Sequence, residues 1–250
     1  MLAEHMTWME YRDKVKHSVV ILPMGSFEQH GPHLPLCVDA VIPTNFAKLV
    51  AEKVDGMVLP PLTYGYKSQP TSGGGPLFPG TTSLDGNTLT HMVLDILRDT
   101  YRHGGRKFLL VNGHYENVAF ATEAVDLFLR EIKEKDIKVV ILNWWDQIPD
   151  ELVPELFAGA GFPGWDTEHA AITETSLMLY FAPELVRKDK IIDDQADRIP
   201  KYAIFPPSRD IIPASGVLYK ATYASLEKGE KIAKQVTDVI VKIVKQEFKV

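Results

Sequence analysis

The sequence predicts an α/β protein, a three-layer α/β/α arrangement around a mostly parallel central sheet. Two observations carry that expectation. Short apolar, β-branched runs recur at Ser18 to Leu22, Met57 to Leu59, Phe108 to Val111 and Val139 to Leu142. Runs without polar alternation are what strands buried on both faces look like. Between them, apolar residues recur at three- and four-residue spacing, as in helices with one face turned inward. Strands alternating with helices imply parallel strands joined by helical crossovers.

The first strand, Ser18 to Leu22, is expected to stop at Pro23, Met24 and Gly25. A helix follows from Pro43 to Val54, with Phe46, Leu49, Val50 and Val54 inward. The strand from Met57 is closed by Pro60 and Pro61. The Gly- and Pro-rich stretch from Thr63 to Thr82 is long for a connection, which marks it as functional or mobile. Asp85 or Asn87 is expected to cap a helix carrying Leu89, Met92, Val93, Ile96 and Leu97, stopped by Gly104 and Gly105. The strand at Phe108 runs into Asn112, Gly113 and His114. The helix after it is expected to reach about Lys135, with Ala121, Ala124, Val125, Phe128 and Leu129 on one face. The strand at Val139 leads into Asn143, Trp144, Trp145 and Asp146. Arg187 to Leu218 reads as an irregular, proline-bearing stretch suited to wrapping the domain or a neighbouring subunit. Leu226 to Val250 reads as a terminal amphipathic helix. No repeat or linker divides the chain, so residues 1–250 are expected to form one domain.

Composition narrows the function. Lys plus Arg number 27 against 33 Asp plus Glu, a formal charge of −6. That balance speaks against a nucleic-acid surface or a polybasic membrane surface. Hydrophobic residues make up 45% of the 250, ordinary for a chain that folds around a core. One cysteine, Cys37, forms no intrachain disulfide, which suits a reducing compartment. No apolar leader opens the chain and no long apolar run crosses it, so a soluble, cytoplasmic protein is expected.

Ligands of open α/β sheets bind beyond the carboxyl ends of the strands. Three polar clusters sit there. Gly25 to Asp39 holds Glu28, His30, His33 and Asp39 directly after the first strand. Asn112 to Asn117 holds His114 and Glu116 after another strand. Gly164 to His169 holds Trp165, Asp166, Glu168 and His169 ahead of an apolar helix. Carboxylate oxygens and imidazole nitrogens suit zinc, manganese or iron. Glu28, His30, Asp39, His114 and Glu116 are too many for one tetrahedral ion and suit two, with the two-oxygen carboxylate of Asp39 as the natural bridge. His33, cut off from His30 by Pro32, is read as structural or supporting. Ser72-Gly-Gly-Gly75 lacks the following Gly-Lys-Ser/Thr of a phosphate loop. Cys37 shows no activating base, and no Gly-x-Ser-x-Gly nucleophile elbow is present.

These motifs resemble the creatininase (creatinine amidohydrolase) family. The likeness is carried by Glu28-Gln-His30-Gly-Pro-His-Leu-Pro with Asp39 downstream, and by Asn112-Gly-His114-Tyr-Glu116-Asn. It extends to Tyr64-Gly-Tyr-Lys-Ser, Ser72-Gly-Gly-Gly, Phe78-Pro-Gly-Thr-Thr-Ser-Leu-Asp-Gly and Gly164-Trp-Asp-Thr-Glu-His169. The resemblance implies a homohexamer with two divalent ions per subunit, zinc and/or manganese. Glu28 and His114 would hold one ion, His30 and Glu116 the other, and Asp39 would bridge them. Ser72, Tyr115, Trp145, Trp165, Asp166 and His169 would contact substrate, and Glu168 would support catalysis beside His169. The implied reaction is reversible hydrolysis of the ring amide of creatinine to creatine by a bridging hydroxide, with His169, oriented by Glu168 or Asp166, protonating the leaving nitrogen. The wider family also implies an alternative, action on another cyclic amide or a cyclic keto-polyol. A metal-binding structural protein without turnover is the reading from another class.

Overall fold

The computed structural model describes residues 1–132, 136–196 and 198–250. In chain order its elements are α1 (Trp8–Lys14), β1 (Val19–Met24), α2 (Val38–Val54), β2 (Met57–Val58), α3 (Gly86–Arg102), β3 (Lys107–Asn112), α4 (Asn117–Glu131), β4 (Lys138–Asn143), α5 (Val153–Leu156), α6 (Ile172–Phe181) and α7 (Leu226–Phe248). The strands pair in parallel in the order β2-β1-β3-β4. Alternate residues serve opposite faces. Val19, Ile21, Leu109 and Val111 meet the core built by α2, α6 and α7, including Phe46, Val50, Leu177, Val236 and Ile240. Val20, Leu22, Phe108 and Leu110 meet the core under α3 and α4, including Leu89, Val93, Ala121 and Phe128. The three layers expected from the apolar runs are therefore present. Each fully buried Val, Leu or Ile contributes about 1.5–3 kcal/mol of transfer free energy. Among the described residues no helix is long and apolar enough to cross a membrane.

Two boundaries differ from expectation, both beside the polar clusters. β1 continues through Pro23 to Met24. The Pro23 carbonyl accepts from Leu62 N–H at 3.0 Å, on the side where β2 has already ended. The missing donor of proline therefore interrupts no ladder there. α2 begins at Val38 rather than near Pro43, so Asp39 lies in its first turn and Pro43 inside the helix. Pro43 has no N–H to return to the Asp39 carbonyl four residues back. That carbonyl is wedged between the strand ends: a Cβ added at Gly25 or at Gly113 would lie 2.4 Å from the Asp39 oxygen.

Smaller differences follow. Asp85 precedes α3 without a side-chain capping bond and pairs instead with Lys67. α4 ends at Glu131, and Lys135, the expected end, lies outside the described residues. Among its described residues the stretch from Arg187 to Leu218 carries 3-10 turns at Lys188–Lys190 and Arg209–Ile211 and a single bridge from Asp193 to Lys220.

Candidate metal centre and pocket

The carboxyl ends of β1, β3 and β4 lie in register at Met24, Asn112 and Asn143, so the segments that follow them start side by side. Asn112 ties them together. Its Nδ2 donates to the His114 carbonyl at 2.6 Å and to Asn143 Oδ1 at 2.9 Å. Asn117 adds a second tie, donating to the Gly25 carbonyl at 3.0 Å and accepting from Tyr66 N–H at 2.9 Å.

This frame brings Glu28, His30, Asp39 and His114 together, all at most 4% exposed. Asp39 stands between the two imidazoles, with Oδ1 3.0 Å from His30 Nε2 and Oδ2 3.1 Å from His114 Nδ1. Glu28 Oε2 lies 3.3 Å from His114 Nδ1, and its carboxylate also accepts from the Ser68 hydroxyl. Each ring has its other nitrogen on a main-chain carbonyl: His30 Nδ1 is 3.1 Å from the Glu28 oxygen and His114 Nε2 is 2.8 Å from the Tyr66 oxygen. A carbonyl only accepts, so those nitrogens carry hydrogen and the opposite ones face the carboxylates. Metal-ligating histidines are commonly anchored this way.

Three overlapping trios have ligand atoms within 4.8 Å of one another, Glu28–Asp39–His114, His30–Asp39–Glu174 and Glu28–His30–His169. His30 Nε2 is buried with no hydrogen-bond partner, although Asp39 Oδ1 and Glu174 Oε1 lie 3.0 and 3.7 Å away. A nitrogen facing two carboxylate oxygens without hydrogen-bond geometry to either fits a divalent cation between them. The donor set fits as well, being oxygen and imidazole only.

Glu116 stands elsewhere than expected. Its Oε2 is 3.3 Å from His114 Nε2, and its carboxylate accepts from Gln69 N–H at 2.7 Å and from the Ser72 hydroxyl. It lies beside His114, and the carboxylate beside His30 is Glu174. Sequence reasoning missed Glu174. The available signal was Glu174 as the one charged residue of α6.

The charges of this cluster shift one another. Burial disfavours ionised Asp39, but His30 and His114 outweigh it and hold the carboxyl well below the usual range. Burial likewise opposes protonation of His114, and Glu28, Asp39 and Glu116 overcome it, raising the ring to about 10. His30 rises well above its ordinary value against burial, through Asp39 and Glu174. Glu28 is pushed up to about 7, by burial first and by the Asp39 charge, with the histidines opposing.

The cluster opens into a small pocket. Ser72, Tyr115, Trp145, Trp165, Asp166, Glu168 and His169 all line it. Trp145 lies against Tyr115 with ring centroids 6.1 Å apart and planes 20° from parallel. Trp144 turns the other way, into the core, stacked on Phe46 at 5.9 Å. The double tryptophan thus divides into a wall and an anchor.

His169 is not oriented by Glu168 or Asp166, as the sequence suggested. Glu168 is turned to the start of α6, where Oε1 accepts from Thr173 N–H at 3.1 Å and the Thr173 hydroxyl donates to the same carboxylate. Burial pushes Glu168 up to about 7 despite those bonds. His169 instead meets Gln29: its Nε2 is 2.9 Å from the Gln29 carbonyl, and Nδ1 is 3.5 Å from Glu28 Oε1. Burial and the nearby His30 lower the ring to about 4, so it is neutral. Ala170, next in the chain, has φ 53°, a left-handed conformation, held while its N–H donates to Glu174 Oε2 at 2.6 Å. His33 lies apart from the trios, with Nε2 2.9 Å from the Thr175 hydroxyl.

Fold and site define a class: an α/β chain with buried carboxylate–imidazole clusters suited to divalent cations at the carboxyl edge of a parallel sheet. A family model described as creatinine amidohydrolase matches residues 4–244, and the chain belongs to the creatininase family. It is 46% identical over 248 residues to a creatinine amidohydrolase of Pseudomonas putida, covering 97% of this chain and 95% of that one. It is 31% identical over 224 residues to a mycofactocin precursor peptide peptidase of Mycolicibacterium smegmatis, covering 86% and 79%. Among solved structures, it resembles a mutant creatininase complexed with creatine at a TM-score of 0.95 and 45% identity, covering 99% of this chain and 98% of that one. Creatininase structures of the same TM-score include manganese and Zn–Zn forms.

Proposed function

We propose that this chain is a metal-dependent amidohydrolase that opens the ring amide of creatinine to give creatine, reversibly. The observation that carries the reading is Asp39, whose two oxygens face one imidazole each at the floor of an aromatic-walled pocket. The near-full-length similarity to a creatinine amidohydrolase supports the substrate.

Glu28, Asp39 and His114 would hold one divalent ion and His30, Asp39 and Glu174 the other, zinc and/or manganese, with Glu116 beside His114 as a further oxygen ligand. Such a pair supplies Lewis acidity and activates water at neutral pH. The residues do the rest. Trp145, Trp165 and Tyr115 flank a flat ring and exclude bulk water. Ser72 and Asp166 offer polar groups to its exocyclic atoms. His169 moves the proton that the leaving ring nitrogen must gain. Glu168 fixes the start of α6 through Thr173 and so holds the turn carrying His169. We further read residues 1–250 as one catalytic domain, assembled as a homohexamer in the cytoplasm, with a small molecule and neither nucleic acid nor membrane as its partner.

The test is creatine formation from creatinine by protein reconstituted with manganese and zinc, with Asp39→Ala as control. Turnover abolished in the control supports the reading. Metal-loaded protein that yields no creatine refutes it.

A further inference from the structure

Gln29 lies between two residues of the cluster, is buried, and has no part in the chemistry described so far. Its side-chain amide is saturated. Nε2 donates to the Gly73 carbonyl at 2.8 Å and to the Gly216 carbonyl at 2.9 Å, and Oε1 accepts from Gly31 N–H at 2.9 Å. The reversed amide is excluded, because it would set an oxygen against two carbonyl oxygens. An amide nitrogen has two hydrogens, and both are in use. His169 Nε2 also lies 3.0 Å from Gln29 Nε2 and 2.9 Å from the Gln29 main-chain oxygen. With no amide hydrogen to spare, the ring nitrogen cannot accept there. The carbonyl only accepts, so the ring nitrogen carries the hydrogen and donates it there.

We propose that Gln29 is a positioning residue that fixes the tautomer of His169, placing the hydrogen on Nε2 and leaving Nδ1 bare toward Glu28. His169 then begins turnover as a proton acceptor. An O–H bond of the attacking water breaks as Nδ1–H forms, and Nδ1–H later breaks as the leaving nitrogen gains its N–H. The ring ends as it began. This deepens the proposed amidohydrolase reading and rests on it for the direction of proton flow, but not for the tautomer.

The clamp also accounts for two glycines. Gly216 has φ +80°, and a Cβ there would lie 1.9 Å from Gln29 Oε1. A Cβ on Gly73, in the Ser72-Gly-Gly-Gly75 run that is no phosphate loop, would lie 2.9 Å from Glu28 Oε1 and 3.3 Å from His169 Cε1. Both carbonyls reach the amide because nothing projects from those positions.

The test is long-range 1H–15N spectroscopy of histidine-labelled, zinc-loaded protein, with the His169 signals assigned by their loss in His169→Asn. The expected wild-type ring has its hydrogen on Nε2. In Gln29→Met, close in length but without donors, the segment presenting the Gln29 carbonyl to His169 loses its ties to Gly73 and Gly216, and the tautomer should become mixed. Its kcat should fall roughly 10- to 100-fold, within the range of a lost proton-transfer step, while KM holds within about threefold and zinc content stays unchanged. Gly216→Ala should reproduce the effect without touching a pocket side chain. A wild-type ring protonated on Nδ1 overturns the proposal, and so does Gln29→Met retaining both tautomer and kcat. If neither variant folds, the wild-type spectrum still decides. Absence of creatine formation would strike the proposed reaction and leave the tautomer reading standing.

Discussion

Gly113→Ala tests how the fold sets the site. The new Cβ would lie 2.4 Å from the Asp39 carbonyl oxygen and 2.7 Å from Pro43 Cγ, where ordinary contact begins near 3.4 Å. Both obstacles belong to the first turns of α2 and neither is a flexible side-chain tip. Relief therefore moves the helix start by about 1 Å, and Asp39 with it. Overpacking of this kind costs about 1–3 kcal/mol of stability, and a misplacement of that size costs on the order of 10²-fold in rate. The assay is metal content after desalting, creatine formation, and urea unfolding. Gly161→Ala serves as control: its φ of +82° imposes strain, but its Cβ would meet only the Tyr219 hydroxyl, at 3.7 Å. It should lose roughly 1–2 kcal/mol and no specific activity. A Gly113→Ala protein with both metals and activity within about threefold of wild type would refute the wedge argument.

Other outcomes follow from the same geometry. Asp39→Asn removes the shared charge from both imidazoles; at about 1.5–3 kcal/mol per charged contact, two contacts correspond to roughly 10²- to 10⁴-fold weaker metal retention, read by elemental analysis, and two ions kept at wild-type affinity would count against the trios. In metal-free protein His114, raised to about 10, and His30 hold protons that entering cations must displace. Metal affinity should therefore fall with falling pH, and calorimetry in buffers of different ionisation enthalpy should show proton release; heats independent of buffer would contradict it. The raised His114 value also stabilises the metal-free fold. That contribution is complete below the ordinary 6.5 and lost as pH rises through about 10, so the melting temperature of metal-free protein should decline across that interval. Trp144→Ala opens a cavity beside Phe46 and should cost about 3–5 kcal/mol in urea unfolding; a loss under about 1 kcal/mol would mean the ring is not the anchor its stacking suggests.

The layers were legible because parallel strands buried on both faces must be apolar throughout, as Val19 to Leu22 and Phe108 to Val111 are. The polar clusters were legible because Glu28, His30, His114 and Glu116 follow strand ends directly. Local rules failed where long-range packing decides. Pro23 and Pro43 read as boundaries, yet β1 runs through one and α2 through the other, since β2 has ended before it reaches Pro23 and the Asp39 carbonyl is wedged between glycines, so neither place makes use of the missing donor. Glu174 was hidden because its partnership with His30 crosses most of the chain. Gln29 was hidden because an amide between two conspicuous ligands draws no notice until its two carbonyl acceptors, Gly73 and Gly216 from distant loops, are in place.

The aromatic series Phe46, Trp144, Trp145 and Tyr115 runs ring to ring, at 5.9, 5.8 and 6.1 Å, from α2 to the mouth of the pocket. Its first member sits on the helix that also bears Asp39. One rod therefore gauges the slot from both directions, setting the depth of the floor and the reach of the wall. A bulkier ring is not admitted by trimming the rim alone; the gauge itself must be recut, which ties tolerance for new substrates to the interior packing of the fold.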